Sequence, residues 1–218
     1  APNENQSGSS MSSIGGPTVV DRYYQDGSFF GYSVHGRPSN AVTFGLQVLG
    51  RDDAFDLVVS GINQGANVGD VSHASGTVGA AMRALYLGVP AIAISQEIED
   101  VNTAASARFA AQLVARYQQQ GAPEGVLISI NIPAGELKGV AVRPMGDSYL
   151  QTGSYELIED SGNRLTYERE RIRVQSTDAS TDTYSYQQGY ITLTPIKFDW
   201  TAHELIDEVK NWDLQLVE

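Results

Sequence analysis

The run Ser60-Gly61-Ile62-Asn63-Gln64-Gly65-Ala66-Asn67-Val68-Gly69, followed by Ser75-Gly76-Thr77-Val78-Gly79-Ala80-Ala81, concentrates amides and hydroxyls among glycines. It leaves an apolar stretch, residues 55–59, that reads as a strand. It enters a segment with Val78, Ala81, Met82 and Leu85 at the i, i+3, i+4, i+7 spacing of one buried helix face. A loop of this composition between strand and helix suits phosphate. The first backbone N–H groups of a helix have no internal partner, and the helix dipole favours an anion there. Ser75, Gly76 and Thr77 therefore read as a phosphate cradle, and Ser75 also as the helix N-cap. Side-chain oxygens in the same loop can face a metal.

The neighbouring polar residues carry two readings each. Asn67 suits a phosphate contact or plain turn chemistry. Asp70 could orient a water or a ligand, or simply be solvated. His73 stands four residues before Thr77, which allows general-acid or phosphate-binding work, although a rim histidine facing solvent is the commoner outcome. Arg37 reads as surface cover or as a substrate contact. His35 and His203 read as structural, and Tyr184, Tyr186 and Tyr190 as packing of an arm.

Strands and helices alternate through the first part of the chain. Residues 18–24 and 29–34 read as strands around the turn Gln25-Asp26-Gly27. Pro38 opens a helix with Val42, Leu46 and Leu49 on one face. Residues 55–60 are expected as a strand, 76–87 as a helix and 91–95 as a continuous apolar strand. Asn102 or Thr103 caps a long helix ended by Gly121, and residues 125–132 form a further strand. This rhythm implies a mostly parallel sheet covered on both faces. After Pro133 it gives way to strands or hairpins at 140–143, 155–158, 165–174 and 190–194, with the next helix expected at 202–210. The organisation expected is an α/β core over residues 1–140, with residues 141–218 a C-terminal hairpin and swapped tail of the same domain.

At 218 residues and 41% hydrophobic content the chain can bury a sizeable core. A formal net charge of −12 argues against a nucleic-acid polymer or an anionic membrane surface as partner. It leaves room for a small phosphorylated substrate, because a bound cation can oppose the global field. The absence of Cys excludes thiolate metal sites and Cys nucleophiles. Few lysines among many Gln, Ser, Thr and Tyr suit a periplasmic or secreted protein, with the cytoplasm as the alternative. No apolar run approaches the roughly 20 residues of a membrane span. Ala1 in place of an initiator Met implies that something upstream was removed.

Taken in order, Ala1-Pro2 with Asn5-Gln6-Ser7-Gly8, Gly36-Arg37-Pro38, the Ser60 to Asn67 run, Ser75 to Ala81, Gly88 to Ser95, Asn131-Ile132-Pro133, Thr181-Asp182 and Gly189 to Pro195 resemble the SurE, or survival protein E, family. The resemblance implies a Rossmann-like three-layer α/β sandwich with a mostly parallel sheet, plus a C-terminal β-hairpin and tail that exchange between subunits of a homodimer or homotetramer. It implies a metal-dependent nucleotidase and broad acid phosphatase that hydrolyses nucleoside monophosphates, with Mg²⁺ or Mn²⁺ as cofactor. Ser7 and Asn63 map to two family metal ligands. The other two, consecutive aspartates ending the family's first strand, have no counterpart here, so the chain is expected to begin at the end of the family's second strand. Asp52-Asp53 do not replace them, since they precede their strand and ligands gather at carboxyl ends. Without that acidic pair, the alternative is a catalytically impaired binding or assembly protein whose phosphate loop is a remnant.

Overall fold

The computed structural model describes residues 1–212 and residue 214. Of the expected C-terminal tail, residues 213 and 215–218 lie outside the described residues. The chain opens with an irregular segment, then a hairpin of β1 (Val20–Gln25) and β2 (Ser28–Val34), with Asp26 and Gly27 alone in its turn. Helix α1 (Pro38–Phe44) starts on its proline and runs into a π-helical turn at Gly45–Leu49. There follow β3 (Val58–Gln64), a 3-10 turn (Gly69–Ala74), α2 (Gly76–Tyr86), β4 (Ala91–Gln96), α3 (Thr103–Gln120) and β5 (Val126–Ile132). Asn102 caps α3, its side chain accepting the Ala105 N–H.

The central sheet has five strands in the order β3-β4-β5-β9-β6, with β6 at Gly139–Val142 and β9 at Tyr190–Lys197. The first three strands run parallel, β9 runs antiparallel to β5, and β6 pairs parallel with β9. Helices cover both faces, as the alternation of strands and helices implied. Strand β4 shows why. Ala91 and Ala93 face α2, which brings Val78, Ala81, Met82 and Ala84. Ile92 and Ile94 face the opposite way, toward Ala110 and its neighbours Phe109 and Leu113 on α3. Both faces of β4 are buried, so its sequence is apolar throughout instead of alternating. Each buried isoleucine contributes about 2 kcal/mol through removal of apolar surface from water.

Three expectations shift. Strand β3 begins at Val58 and extends through Gln64, so part of the expected loop is strand. Its ladder with β4 is irregular between Ser60 and Asn63, where Gly61 lies so close to β4 that a Cβ would stand 2.3 Å from the Ile94 carbonyl oxygen. A helix absent from the sequence reading, α4 (Asp182–Gln187), forms just before β9. At six residues it is too short to show a period, and the Thr181 side chain caps it by accepting the Tyr184 N–H. The expected helix at 202–210 divides into a 3-10 turn, His203–Leu205, and α5 (Ile206–Lys210).

The hairpin of β7 (Leu150–Asp160) and β8 (Leu165–Arg173) exposes residues on both of its faces. No helix among the described residues is long and apolar enough to cross a membrane.

Helix α4 delivers Asp182, which is 1% exposed, into the centre of the fold. Its Oδ1 accepts the Gly146 N–H at 2.8 Å, and its Oδ2 accepts the Gly69 N–H at 3.2 Å and the Thr194 hydroxyl at 3.0 Å. One carboxylate thus ties the loop after β3, the connection after β6 and strand β9. Asp182→Ala would leave these buried donors without an acceptor. We expect a loss of about 2–5 kcal/mol, read as a lower urea midpoint at unchanged slope.

Candidate functional site

Asn63 lies at the carboxyl end of β3, and Asn67 in the loop that follows reaches Ser95 near the carboxyl end of β4, the side of the sheet where open α/β folds bind ligands. The start of α2 forms one wall. Ser75 Oγ accepts the Val78 N–H at 3.2 Å and the Ser75 carbonyl accepts the Gly79 N–H at 2.9 Å. The Gly76 and Thr77 N–H groups have no partner among the described residues. They are the donors an anion would meet, with the helix dipole behind them. Capping and cradle are compatible, since Ser75 uses its side chain for one and leaves two backbone donors for the other.

Residues 6–11 cross α2 as a strap. Ser10 N–H donates to the Ala74 carbonyl at 3.0 Å, and Ser10 Oγ to the His73 carbonyl at 2.8 Å. The strap lies on the glycine face of the helix. A Cβ on Gly79 would stand 1.9 Å from the Ser10 carbonyl oxygen, so only hydrogen fits there. Ser7, within the strap, is exposed and its hydroxyl lies 3.5 Å from Asn5 Oδ1.

Asn63 and Asn67 hold the other wall. Asn63 Nδ2 donates to the Gly65 carbonyl at 2.6 Å, and its Oδ1 takes no hydrogen bond. Asn67 is held at its main chain: its N–H donates to Asn131 Oδ1 at 2.7 Å, and its carbonyl accepts Asn131 Nδ2 at 3.3 Å and Ser72 Oγ at 2.7 Å. Its Nδ2 donates to Ser95 Oγ at 2.8 Å. The partners of Asn67 on Ser95 and Asn131 lie far away in sequence, so its side chain is held by the tertiary fold and not by a local turn bond.

Asp70 and His73 are engaged elsewhere. Asp70 Oδ1 accepts the Ser148 N–H at 2.9 Å, joining the 3-10 turn to the segment before β7. His73 is exposed, its Nδ1 lies 3.0 Å from the Asp70 carbonyl, and its ring meets the Trp200 ring edge-on at 5.3 Å. With Ser72, Met82, Met145 and Phe198 these rings line an apolar cavity of about 260 Å³. Arg37 turns to Ser12, and His35 and His203 pair with Asp21 and Asp199 on the surface. Tyr186 packs on Tyr149 at 5.8 Å and donates to Glu97 Oε2 at 3.3 Å. Burial, followed by the nearby Tyr149 and the Glu97 carboxylate, pushes its phenol far above the ordinary tyrosine range, so it stays a donor.

The model of the family described as survival protein SurE matches residues 1–152. The chain is 33% identical to the 5'-nucleotidase SurE of Thermoanaerobacter sp. (strain X514), across 92% of this chain and 80% of that one. It is 34% identical to the 5'-nucleotidase SurE of Vibrio cholerae serotype O1, across 97% and 84%. A crystal structure of the SurE protein from Aquifex aeolicus shares the fold at a TM-score of 0.82 and 28% identity, covering 98% of this chain and 87% of that one.

This chain belongs to the SurE family.

Within the SurE fold of this chain, the sequence reading missed the buried polar residues behind the site. Ser95, Asn131 and Asp182 are each at most 2% exposed. Ser95 and Asn131 had a signal, each a polar residue closing an apolar strand, Ala91-Ile92-Ala93-Ile94-Ser95 and Ile128-Ser129-Ile130-Asn131. A buried polar group demands partners, and here the partner is the loop that the sequence did single out.

The contact between strap and helix is testable in isolation. Gly79→Ala raises helix propensity by about 1 kcal/mol yet drives a methyl into the Ser10 carbonyl. We expect α2 to persist while the Ser10 amide, bonded to Ala74, loses about tenfold or more of its hydrogen-exchange protection. Unchanged exchange there would show that the strap does not depend on the glycine.

Proposed function

We infer that this protein is a metal-dependent phosphomonoester hydrolase acting on nucleoside monophosphates. The observation that carries this reading is that two N–H groups at the start of α2 and Asn63 Oδ1 at the carboxyl end of β3 all lack hydrogen-bond partners among the described residues. Membership of a family whose relatives bear the name 5'-nucleotidase supports it. The N–H groups of Gly76 and Thr77 receive phosphoryl oxygens in place of water, and they need no reorganisation as charge develops.

Asn63 and Ser7 supply neutral oxygens to the cation. Alone they do not make a hard-cation site, which calls for carboxylates as well. Among the described residues no group of three or more Asp, Glu, His or Cys stands together to hold a metal. The acidic pair implied by the family belongs on a strand laid against the free edge of β3. A groove of about 420 Å³ runs along that edge, lined by Val42, Leu46, Phe55, Leu57 and Val59, which suits an apolar strand. Mg²⁺ or Mn²⁺ would neutralise the phosphoryl charge.

The protein works as a homo-oligomer in this reading. Leu205, Ile206, Val209 and Trp212 form an exposed apolar face on and around α5, and Tyr155, Leu157 and Tyr167 stay exposed on the β7–β8 hairpin. Apolar surfaces of this kind are covered in assemblies.

Two outcomes follow. Protein carrying the acidic strand should release phosphate from nucleoside monophosphates with Mg²⁺ or Mn²⁺ and stop on chelation, and Asn63→Ala should lower kcat/KM by about 10²-fold or more. No release from any nucleoside monophosphate would sink the reading. Ile206→Asp with Val209→Asp should shift the particle mass toward the monomer in light scattering, whereas a monomeric parent protein would remove the oligomer from the proposal.

A further inference from the structure

Asn63 and Asn67 stand at the same end of the sheet, but they are held by different kinds of partner, and the difference decides which atom each presents. Asn63 Nδ2 donates to a carbonyl, that of Gly65. A carbonyl only accepts, so the reverse orientation would set two oxygens face to face. Asn63 is therefore held with Oδ1 outward, the orientation a cation needs.

Asn67 Nδ2 meets a hydroxyl, Ser95 Oγ at 2.8 Å. A hydroxyl donates as well as accepts, so this contact serves either orientation of the amide. Ser95 is 2% exposed, and its own O–H has no acceptor among the described residues. A half-turn of the Asn67 amide would remove that deficit. The Ser95 O–H would then donate to Oδ1, and Nδ2 would point out with two free hydrogens. In the present orientation Oδ1 takes no hydrogen bond among the described residues and is not buried, so the outward position is open to solvent. The main chain need not move, because Asn131 and Ser72 grip both its N–H and its carbonyl. Rotation about the terminal bond of an Asn side chain is soft.

We propose that Ser95 is a positioning residue for phosphoryl binding: it donates to Asn67 Oδ1 and turns Nδ2 toward an oxygen of an anion held at the start of α2. This rests on the reading of the site as a phosphomonoesterase. The anion drives the turn, since a charge-assisted bond from Nδ2 replaces contact with water, and the Ser95 proton gains an acceptor in the same motion. Asn131 acts behind it as the fixed mount. The two amides at the end of β3 thereby divide the work, Asn63 offering an oxygen to the cation and Asn67 a donor to the phosphate.

The test is calorimetric binding of inorganic phosphate, with Mg²⁺ present, to the protein carrying the acidic strand. Ser95→Ala should weaken phosphate binding about tenfold with the thermal transition retained, and Asn67→Ala by a similar factor. The double variant should bind no more weakly than Asn67→Ala alone, because Ser95 acts only through Asn67. Asn67→Asp can still accept from Ser95 but shows the anion a carboxylate oxygen, so it should bind phosphate more weakly than Asn67→Ala while keeping its fold. Ser95→Ala within twofold of the parent, additive effects in the double variant, or full phosphate affinity in Asn67→Asp would each overturn the proposal. Absence of phosphate binding in the parent would overturn it too. A parent that binds phosphate but hydrolyses no nucleoside monophosphate would overturn the enzymatic reading and leave the role of Ser95 intact.

Discussion

A carboxylate buried without a cation is stable only when backbone and hydroxyl donors surround it. Asp182 meets that condition by drawing Gly69, Gly146 and Thr194 onto its two oxygens. Those donors come from three parts of the chain, so the carboxylate can be satisfied only when all three are in place. The loop after β3 is thereby held to β9, two strands beyond β4 in the sheet. The stability of the core and the geometry of the site are coupled at this residue.

Around that tie the site is built mainly from neutral groups. Gly76 and Thr77 carry backbone N–H groups without a partner among the described residues, Asn63 an amide oxygen, and Asn67 an amide bonded to the Ser95 hydroxyl. In a chain with net charge −12, a helix start is a place where backbone donors favour an anion without a lysine. The small residues of the α2 face follow from the same need. Gly76 and Gly79 let residues 6–11 lie directly on the helix, and Ala91 and Ala93 let the helix lie close to the sheet.

The free edge of β3 and the exposed apolar face of α5 belong to the same economy. Both present surface that water solvates poorly, one along an unpaired strand and one along a helix. The first runs along β3, the strand that carries Asn63. The second lies in the tail that follows β9, away from the cradle in sequence.

Much of this protein was legible in its residues. The apolar runs at β4 and β5, the glycine-rich loop and the spacing of α2 specify a strand, a turn and a helix locally, and local signals survive without tertiary context. The start of α2 and its Ser75 cap were legible for the same reason, since a helix N-terminus is a local property. What only the folded chain decided was the partner of each polar group. Asn67 reads alike as a phosphate contact or a turn residue until Asn131 and Ser95 are brought to it across 64 and 28 residues of sequence. Helix α4 was invisible because six residues show no period, and Asp182 became central only when three distant donors converged on it. Hydrogen-bond partners are chosen by proximity in space, and periodicity along the chain carries no record of that choice.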